Sequence, residues 1–256
     1  THSTSSAASD VYKRQSEDSL SNKNILITGA GSGIGRAVAK IAAKHQANLI
    51  LLSKDIKKLY SLQDEICDEG GNEPLIVEFD FLKASEKDYK KLADSLYENY
   101  EKLDGLVHIA GVLGYLSPVI NTTFNQLKTV MQVNFESNFL LTQLSLPLLL
   151  KAKKPSVVFT SSGVGRKARA FWTSYSISKF AVEGLMQSLA DEYEKDLRVN
   201  SYNPGPTRTQ MRAQAFPAED PNTLRTPDEI AVDYLWLLSD ECQETGITVS
   251  YTHLRA

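Results

Sequence analysis

The chain has 256 residues, of which 42% are hydrophobic and 23% are charged, and its formal net charge is −3. This composition is typical of one soluble globular domain, and it gives no reason to expect nucleic acid or an anionic membrane as a partner. Two cysteines cannot form a disulfide framework, and the longest apolar run, at 139–150, is too short and too polar to span a bilayer. We therefore expect a cytoplasmic protein.

The two ends differ from the rest of the chain. Residues 1–15 and 249–256 show no amphipathic period and no clear helix-capping signals. We expect both to be non-native or disordered tails. The predicted domain is then 16–248, with a last strand that the second tail cuts short.

Apolar runs and helical periods alternate between these ends. No internal repeat or linker divides the alternation, and continuous apolar strands are typical of a parallel sheet that is covered on both faces. The sequence thus predicts one α/β domain, doubly wound, with a mainly parallel seven-stranded sheet. The predicted strands are 24–27, 49–52, 75–79, 105–110, 156–160, 199–202 and a last one from 247; the predicted helices are 34–46, 55–69, 85–100, 124–150, 174–196 and 227–239, with an irregular segment at 204–225.

A glycine cluster, TGAGSGIG at 28–35, joins the first strand to the first helix. Gly29, Gly33 and Gly35 permit unusual backbone angles and keep side chains away from the turn. The helix then begins near Ile34, where free N–H groups and the positive end of the helix dipole favour a pyrophosphate. This pattern predicts a Rossmann-type dinucleotide site that also includes Gly31 and Ser32.

Tyr175 and Lys179 lie four residues apart at the start of a predicted helix, so they share one face. An ammonium close to a phenol favours the phenolate, and the spacing predicts a lowered pKa for Tyr175. Ser162 follows the fifth strand and can hold a substrate oxygen beside the phenol. Ser161 is an almost equal candidate from sequence alone.

Together, TGAGSGIG, Asp80, Asn134, Ser162, Tyr175-Ser-Ile-Ser-Lys179 and Asn203-Pro-Gly-Pro-Thr207 resemble the short-chain dehydrogenase/reductase family. The resemblance covers about residues 20–247, and stretches such as LVHIAGVLG and SYSISKFAVEG are similar to a bacterial subgroup of oxidoreductases whose substrate is not settled.

The resemblance implies a role for each matching residue. Tyr175 would be the general acid in reduction and the base in oxidation, and Lys179 would hold the nicotinamide ribose. Ser162 would orient the substrate oxygen, and Asn134 would place a water that links Lys179 to solvent. The remaining cofactor-binding positions it implies are Asp80 at the adenine with Phe81 next to it, Ala110 and Gly111 after the fourth strand, and Pro204, Gly205, Thr207 and Thr209 along the nicotinamide and phosphates.

One departure from the family pattern lies after the fourth strand. The family usually has Asn-Asn-Ala-Gly there, whereas this chain has His108-Ile109-Ala110-Gly111. Isoleucine cannot make the polar contacts of asparagine, which puts cofactor fit around Ala110 in doubt. His108 is interpreted as a structural histidine, and the four histidines form no cluster with metal-ligand spacing.

The end of the second strand indicates which cofactor is used. NAD sites usually have a carboxylate there for the ribose 2′-hydroxyl, but this chain reads Leu52-Ser53-Lys54. Ser53 and Lys54 can contact a 2′-phosphate, and Asp55 is interpreted as a helix-start residue. NADP(H) is favoured over NAD(H).

The sequence therefore predicts an NADP(H)-dependent oxidoreductase that transfers a hydride between the nicotinamide and a small-molecule carbonyl or secondary alcohol. The alternative is a non-catalytic dinucleotide-binding sensor or partner subunit. Residues 112–118, 163–172 and 205–225 are expected to line the substrate pocket, and their basic side chains are interpreted first as a solvated rim. The family resemblance also implies a homo-oligomer, a dimer or tetramer, with 139–150 as a candidate packing surface that burial within one subunit explains equally well.

Overall fold

The computed structural model describes residues 19–250, in which helices and strands alternate around one sheet. The predicted tail at 1–15 lies outside the described residues. The strands are β1 Asn24–Thr28, β2 Asn48–Ser53, β3 Leu75–Glu78, β4 Gly105–His108, β5 Ser156–Thr160, β6 Arg198–Asn203 and β7 Thr248–Ser250; the α-helices are α1 Gly33–Lys44, α2 Ile56–Asp68, α3 Glu86–Asn99, α4 Phe124–Met131, α5 Ser137–Leu149, α6 Thr173–Glu192, α7 Gln210–Ala215 and α8 Pro227–Leu238.

The seven strands form one parallel sheet in the order β3-β2-β1-β4-β5-β6-β7. The chain moves outward from β1 to β3, then crosses back to place β4 against β1. This reversal opens a crevice at the carboxyl ends of β1 and β4, which is where doubly wound sheets bind ligands. The predicted fold class is confirmed.

Both faces of the sheet are buried, as continuous apolar strands require. Neighbouring residues of a strand point to opposite faces, so Ile25 and Ile27 join one apolar cluster and Leu26 joins the other. The first cluster packs the sheet against α1, α2 and α8, and the second packs it against α3, α5 and α6. The sheet is thereby held rigidly between two helical layers, with its carboxyl edge left for a site.

The long helix predicted at 124–150 is divided by a π-helical turn, Gln132–Glu136. Such turns insert one residue into the helical ladder and are frequent at functional sites. On the far side of the turn, Leu141, Leu148 and Leu149 are buried within the subunit. Intramolecular packing therefore accounts for much of the apolar run at 139–150.

Two further differences concern the C-terminal third. The segment predicted as irregular at 204–225 contains α7 and a 3-10 turn, Pro221–Thr223. The predicted boundary between domain and tail, at residue 248, falls inside β7, which pairs with β6 through Ser250.

Within residues 19–250, every helix is too short or too polar to cross a membrane.

Candidate active site

The glycine loop brings the start of α1 close to β1 and to the segment after β4. Gly29 has φ +70°, and a Cβ there would lie 2.8 Å from the backbone nitrogen of Ala110. A Cβ on Gly35 would overlap the carbonyl oxygen of Gly29. Gly33 has φ +54°, a conformation that glycine adopts without strain. Glycine is therefore required at these three positions, as the sequence predicted, and the loop forms a cradle without side chains.

Ser32 and Gly31 complete the loop. Ser32 is exposed at the N-cap of α1, where its hydroxyl makes no capping hydrogen bond, and so leaves the first N–H groups of the helix for a ligand. Gly31 is buried, and a Cβ there would lie 2.7 Å from the hydroxyl oxygen of Ser53. Ile34, in the first turn of α1, packs against the first apolar cluster. The end of β2 therefore lies directly against the loop.

The carboxylate nearest in sequence to the end of β2 is that of Asp55, at the start of α2. The Asp55 side chain accepts a hydrogen bond from the backbone N–H of Lys58 at 3.3 Å, which caps α2 as predicted. Ser53 accepts from the backbone N–H of Asp55 at 3.2 Å. Lys54 is exposed beside them. This corner offers a hydroxyl and an ammonium, which suit an anionic group.

Thr28 connects β1 to the segment that departs from the family pattern. Its hydroxyl oxygen accepts from the backbone N–H of Ile109 at 3.0 Å and of Ala110 at 3.1 Å. Ile109 packs its side chain against the first apolar cluster. His108 is buried, stacks on Phe159 with ring centroids 4.8 Å apart, and is structural as predicted. The segment is thus held through its backbone N–H groups, although it lacks the two asparagines that the family usually has there.

Asn134 lies in the π-helical turn and is fully buried. Its Oδ1 accepts from the backbone N–H of Val112 at 2.8 Å, and its Nδ2 donates to the Val112 carbonyl at 2.9 Å and to the Ser178 hydroxyl at 3.0 Å. Gly111 lies against it, because a Cβ there would be 3.3 Å from Oδ1. Asn134 therefore ties the segment after β4 to α6. The water that the resemblance implies for it stays a prediction.

The choice between Ser161 and Ser162 follows from the direction of the two side chains. Ser161 is buried and donates to the carboxylate of Glu183. Ser162 is half-buried and lies beside the phenol of Tyr175, whose pKa it acts to lower. Its oxygen also accepts from the N–H of Val164 at 3.4 Å. Ser162 is the serine that meets Tyr175.

Tyr175 and Lys179 share one face at the start of α6, and both are buried. The Lys179 ammonium lies 5.6 Å from the Tyr175 ring centroid and donates to the Thr160 carbonyl at 2.7 Å. Burial raises the pKa of Tyr175 to about 12, although the hydrogen bond with Ser162 opposes this shift. The lowered pKa of Tyr175 predicted from the spacing is wrong, because desolvation of the phenolate by burial is the larger effect.

Burial also acts on Lys179, whose pKa it lowers to about 8, and the carboxylate of Glu183 opposes that shift. Glu183 accepts from Ser161 on one oxygen, and from Ser201 at 2.9 Å and Thr248 at 2.8 Å on the other. Sequence reasoning missed this buried carboxylate. The sequence feature that could have identified Glu183 is its position four residues after Lys179 on the same helix.

The segment after β6 lies over the glycine loop. The Thr209 methyl is 3.5 Å from where a Cβ on Gly33 would be, and the Thr209 hydroxyl caps α7. Gly205 has φ +66°, and the buried Thr207 donates to the Pro204 carbonyl at 3.4 Å. The structure therefore brings this predicted segment to the crevice.

Asp80 and Phe81 follow β3 at the same edge of the sheet. One Asp80 oxygen accepts from the backbone N–H of Leu82 at 3.0 Å, and the other lies 3.6 Å from the Lys83 ammonium. Phe81 is buried and packs on Phe79, with ring centroids 5.2 Å apart. The Asp80 carboxylate remains partly exposed, with acceptor capacity to spare.

Comparison with known proteins agrees with this arrangement. The sequence profile of the short chain dehydrogenase family matches residues 23–220. The uncharacterized oxidoreductase YciK of Escherichia coli K12 is 46% identical over 239 residues, which cover 93% of this chain and 95% of that protein. The resemblance of the quoted stretches to the bacterial YciK-like oxidoreductases is thereby confirmed.

Solved structures show the same relationship. The structure of YciK from E. coli has a TM-score of 0.90 at 47% identity and covers 92% of this chain and 97% of its own. A short chain dehydrogenase from E. coli CFT073, solved in complex with NADPH, has the same TM-score and identity and covers 92% of this chain and 98% of its own. A third, from Shigella flexneri, was solved in complex with NADP and has a TM-score of 0.90 at 46% identity, covering 92% of this chain and 99% of its own. With its doubly wound sheet, its glycine loop and its Ser–Tyr–Lys group, the chain belongs to the short-chain dehydrogenase/reductase family and is an oxidoreductase of that family.

Proposed function

We propose that this protein is an NADP(H)-dependent oxidoreductase that interconverts a carbonyl compound and an alcohol, with Tyr175 as the general acid and base. The observation that carries the proposal is that the Ser162 hydroxyl and the Lys179 ammonium both lie beside the buried phenol of Tyr175. A phenol, a hydroxyl donor and an ammonium at one place can hold a carbonyl oxygen and protonate it.

The cofactor preference is supported by the residues around the glycine loop. The side-chain-free cradle at the start of α1 fits a pyrophosphate. Ser53 and Lys54 would hold the 2′-phosphate, and the Asp55 carboxylate is turned to the start of α2, where it caps the helix and lies 3.6 Å from the Lys58 ammonium. That two relatives were crystallised with NADPH and NADP supports the same choice.

The other cofactor contacts follow from position along the carboxyl edge. Asp80, beside Phe81, would accept from the adenine amino group. Ala110 and Gly111 would lie under the nicotinamide ribose, which Lys179 would hold. The segment from Pro204 to Thr209 would cover the nicotinamide and the phosphates.

NADPH, when bound, supplies a hydride to the carbonyl carbon. Tyr175 donates its proton to the carbonyl oxygen, so that carbonyl, hydride and proton become an alcohol. The Ser162 hydroxyl donates a hydrogen bond to the same oxygen and orients it. Because burial raises the pKa of Tyr175 to about 12, the phenol is fully protonated at neutral pH. In the reverse direction, oxidation of the alcohol, the same phenol oxygen takes the proton back.

The test is NADPH consumption with a panel of aldehydes and ketones. Tyr175→Phe keeps the ring and removes the proton, so we expect kcat to fall by about 100-fold or more. Tyr193→Phe, at the other end of α6, is the matched control. Activity that survives Tyr175→Phe refutes the assigned role. NADPH binding without turnover across the panel supports instead the non-catalytic sensor or partner subunit.

A further inference from the structure

Aromatic side chains that the proposed proton transfer does not use lie next to Tyr175. The Trp172 ring meets the Tyr175 ring edge-on, with centroids 5.9 Å apart. The Phe216 ring centroid lies 5.8 Å from that of Trp172. Both Trp172 and Phe216 are half-buried. We call Trp172, Tyr175 and Phe216 the aromatic wall, in which Trp172 contacts both other rings.

Two arginines lie on this wall, and only one of them is neutralised. The Arg212 guanidinium stacks 3.8 Å from the Phe216 ring centroid and donates to both carboxylate oxygens of Glu219, at 2.5 and 2.6 Å. The Arg169 guanidinium lies 5.9 Å from the Trp172 ring and 5.4 Å from the Phe216 ring. Among the described residues, no carboxylate forms an ion pair with Arg169, which is exposed. Arg169 is therefore a cation held on aromatic rings and open to a ligand.

Arg169 and Trp172 are held together by a tight turn. The backbone N–H of Trp172 donates to the carbonyl of Arg169 at 3.2 Å. Phe171, within the turn, has φ +72°, which a bulky side chain rarely adopts. Its carbonyl accepts from the N–H of Ser117 at 3.0 Å, which anchors the turn to the segment after β4. A strained residue that is locked in this way is typical of a preorganised functional site.

From this arrangement we infer the substrate class: a carbonyl compound whose planar, aromatic part bears a carboxylate. This inference rests on the proposed function, because Tyr175 fixes where the carbonyl must lie. The planar part packs on Trp172 and Phe216, as aromatic rings prefer. The carboxylate meets Arg169, whose planar fork matches its two oxygens. The Trp172 ring lies 5.9 Å from both the Tyr175 ring and the Arg169 guanidinium, so it is the common neighbour of the two groups that the substrate would contact.

Three aldehydes separate the two features of this substrate: 4-formylbenzoate, its neutral methyl ester, and 4-formylcyclohexanecarboxylate, which keeps the charge and loses the plane. We expect kcat/KM with NADPH to be about tenfold higher for 4-formylbenzoate than for either other compound. Arg169→Gln should abolish the preference for the acid over the ester. Trp172→Leu should abolish the preference for the aromatic acid over the cyclohexane acid.

The matched control is Lys153→Gln, which removes an exposed positive charge just before β5, at the opposite edge of the sheet. It should keep the preference for the acid. If the ratio of acid to ester is the same in the wild type and in Arg169→Gln, the inferred substrate class is overturned and Arg169 belongs to a solvated rim.

A binding measurement decides the inference even where turnover is absent. Calorimetric titration of 4-(hydroxymethyl)benzoate into the protein with NADP present should give a Kd about tenfold weaker for Arg169→Gln than for the wild type. Equal affinity in both proteins overturns the inference. Failure of the proposed function has a different signature, namely that none of the three aldehydes is reduced although NADPH binds.

Discussion

Protonation of His108 is expected to make the fold sensitive to mild acid. The ring is 2% exposed and stacks on Phe159, and its Nε2 lies 2.8 Å from the Thr142 hydroxyl. Within residues 19–250, its Nδ1 has no hydrogen-bond partner. Burial, with a smaller contribution from the Lys179 charge, lowers the pKa of His108 to about 3. The imidazolium would therefore keep only the Thr142 hydroxyl as a partner, and burial and the Lys179 charge both disfavour it in the folded state.

The size of the effect follows from proton linkage. In the unfolded chain the imidazole takes up a proton near its ordinary pKa of about 6.5, whereas in the folded chain it stays neutral until about pH 3. Stability falls wherever the unfolded state binds more protons, so it falls as the pH drops below about 6.5. Between about pH 7.5 and pH 5 the free energy of unfolding should decrease by about 2 kcal/mol from this one group.

The assay is urea unfolding at a series of pH values, compared between the wild type and His108→Asn. The variant should lose about 2 kcal/mol of the pH dependence over this range, whatever its absolute stability. Thr142→Val serves as the control, because it removes the partner of Nε2 and keeps the titrating ring, so the dependence should remain. An unchanged pH slope in His108→Asn would refute the assignment of a buried neutral imidazole.

Three further outcomes are expected. Burial lowers the pKa of Lys179 to about 8, whereas that of Tyr175 is about 12, so Lys179 loses its proton first as the pH rises. We expect kcat/KM for reduction to fall about tenfold per pH unit above about pH 8. A value of kcat/KM that stays constant to about pH 10 would contradict the need for a protonated Lys179. Gly35→Ala forces a Cβ into the carbonyl oxygen of Gly29, so the free energy of unfolding measured in urea should fall by about 2 kcal/mol or more. A variant as stable as the wild type would contradict this close approach. Phe171→Gly relieves the strain of a phenylalanine backbone with φ +72°, so the free energy of unfolding measured by thermal denaturation should rise by about 1 kcal/mol. A decrease would mean that the phenylalanine ring stabilises the fold by more than the backbone strain costs.

The local features of the site could be predicted from sequence because they depend on short spacings. Gly29, Gly33 and Gly35 are constrained by one turn, whose geometry is set within eight residues. Tyr175 and Lys179 share a face because a helix repeats every 3.6 residues. The strand and helix order followed from apolar periodicity in the same way, with ends that differ by a few residues.

The choice between Ser161 and Ser162 needed the tertiary structure. Both residues follow β5, and side chains in extended backbone alternate between faces, so one of them had to face away from the crevice. Nothing in the sequence says which. Glu183 decides it, because this carboxylate binds Ser161 on the buried side.

The sequence alone determined the doubly wound fold, the place of the dinucleotide cradle and the tyrosine–lysine pair, because each follows from periodicity or from a turn of a few residues. Tertiary structure decided the direction of the Tyr175 pKa shift, since desolvation depends on how all surrounding chain segments pack. It also decided that Arg169 and Phe216 meet Trp172, whose ring contacts that of Tyr175, since Phe216 comes from a segment beyond β6. Contacts between residues far apart in the chain arise from packing of the whole domain, and no local pattern encodes them.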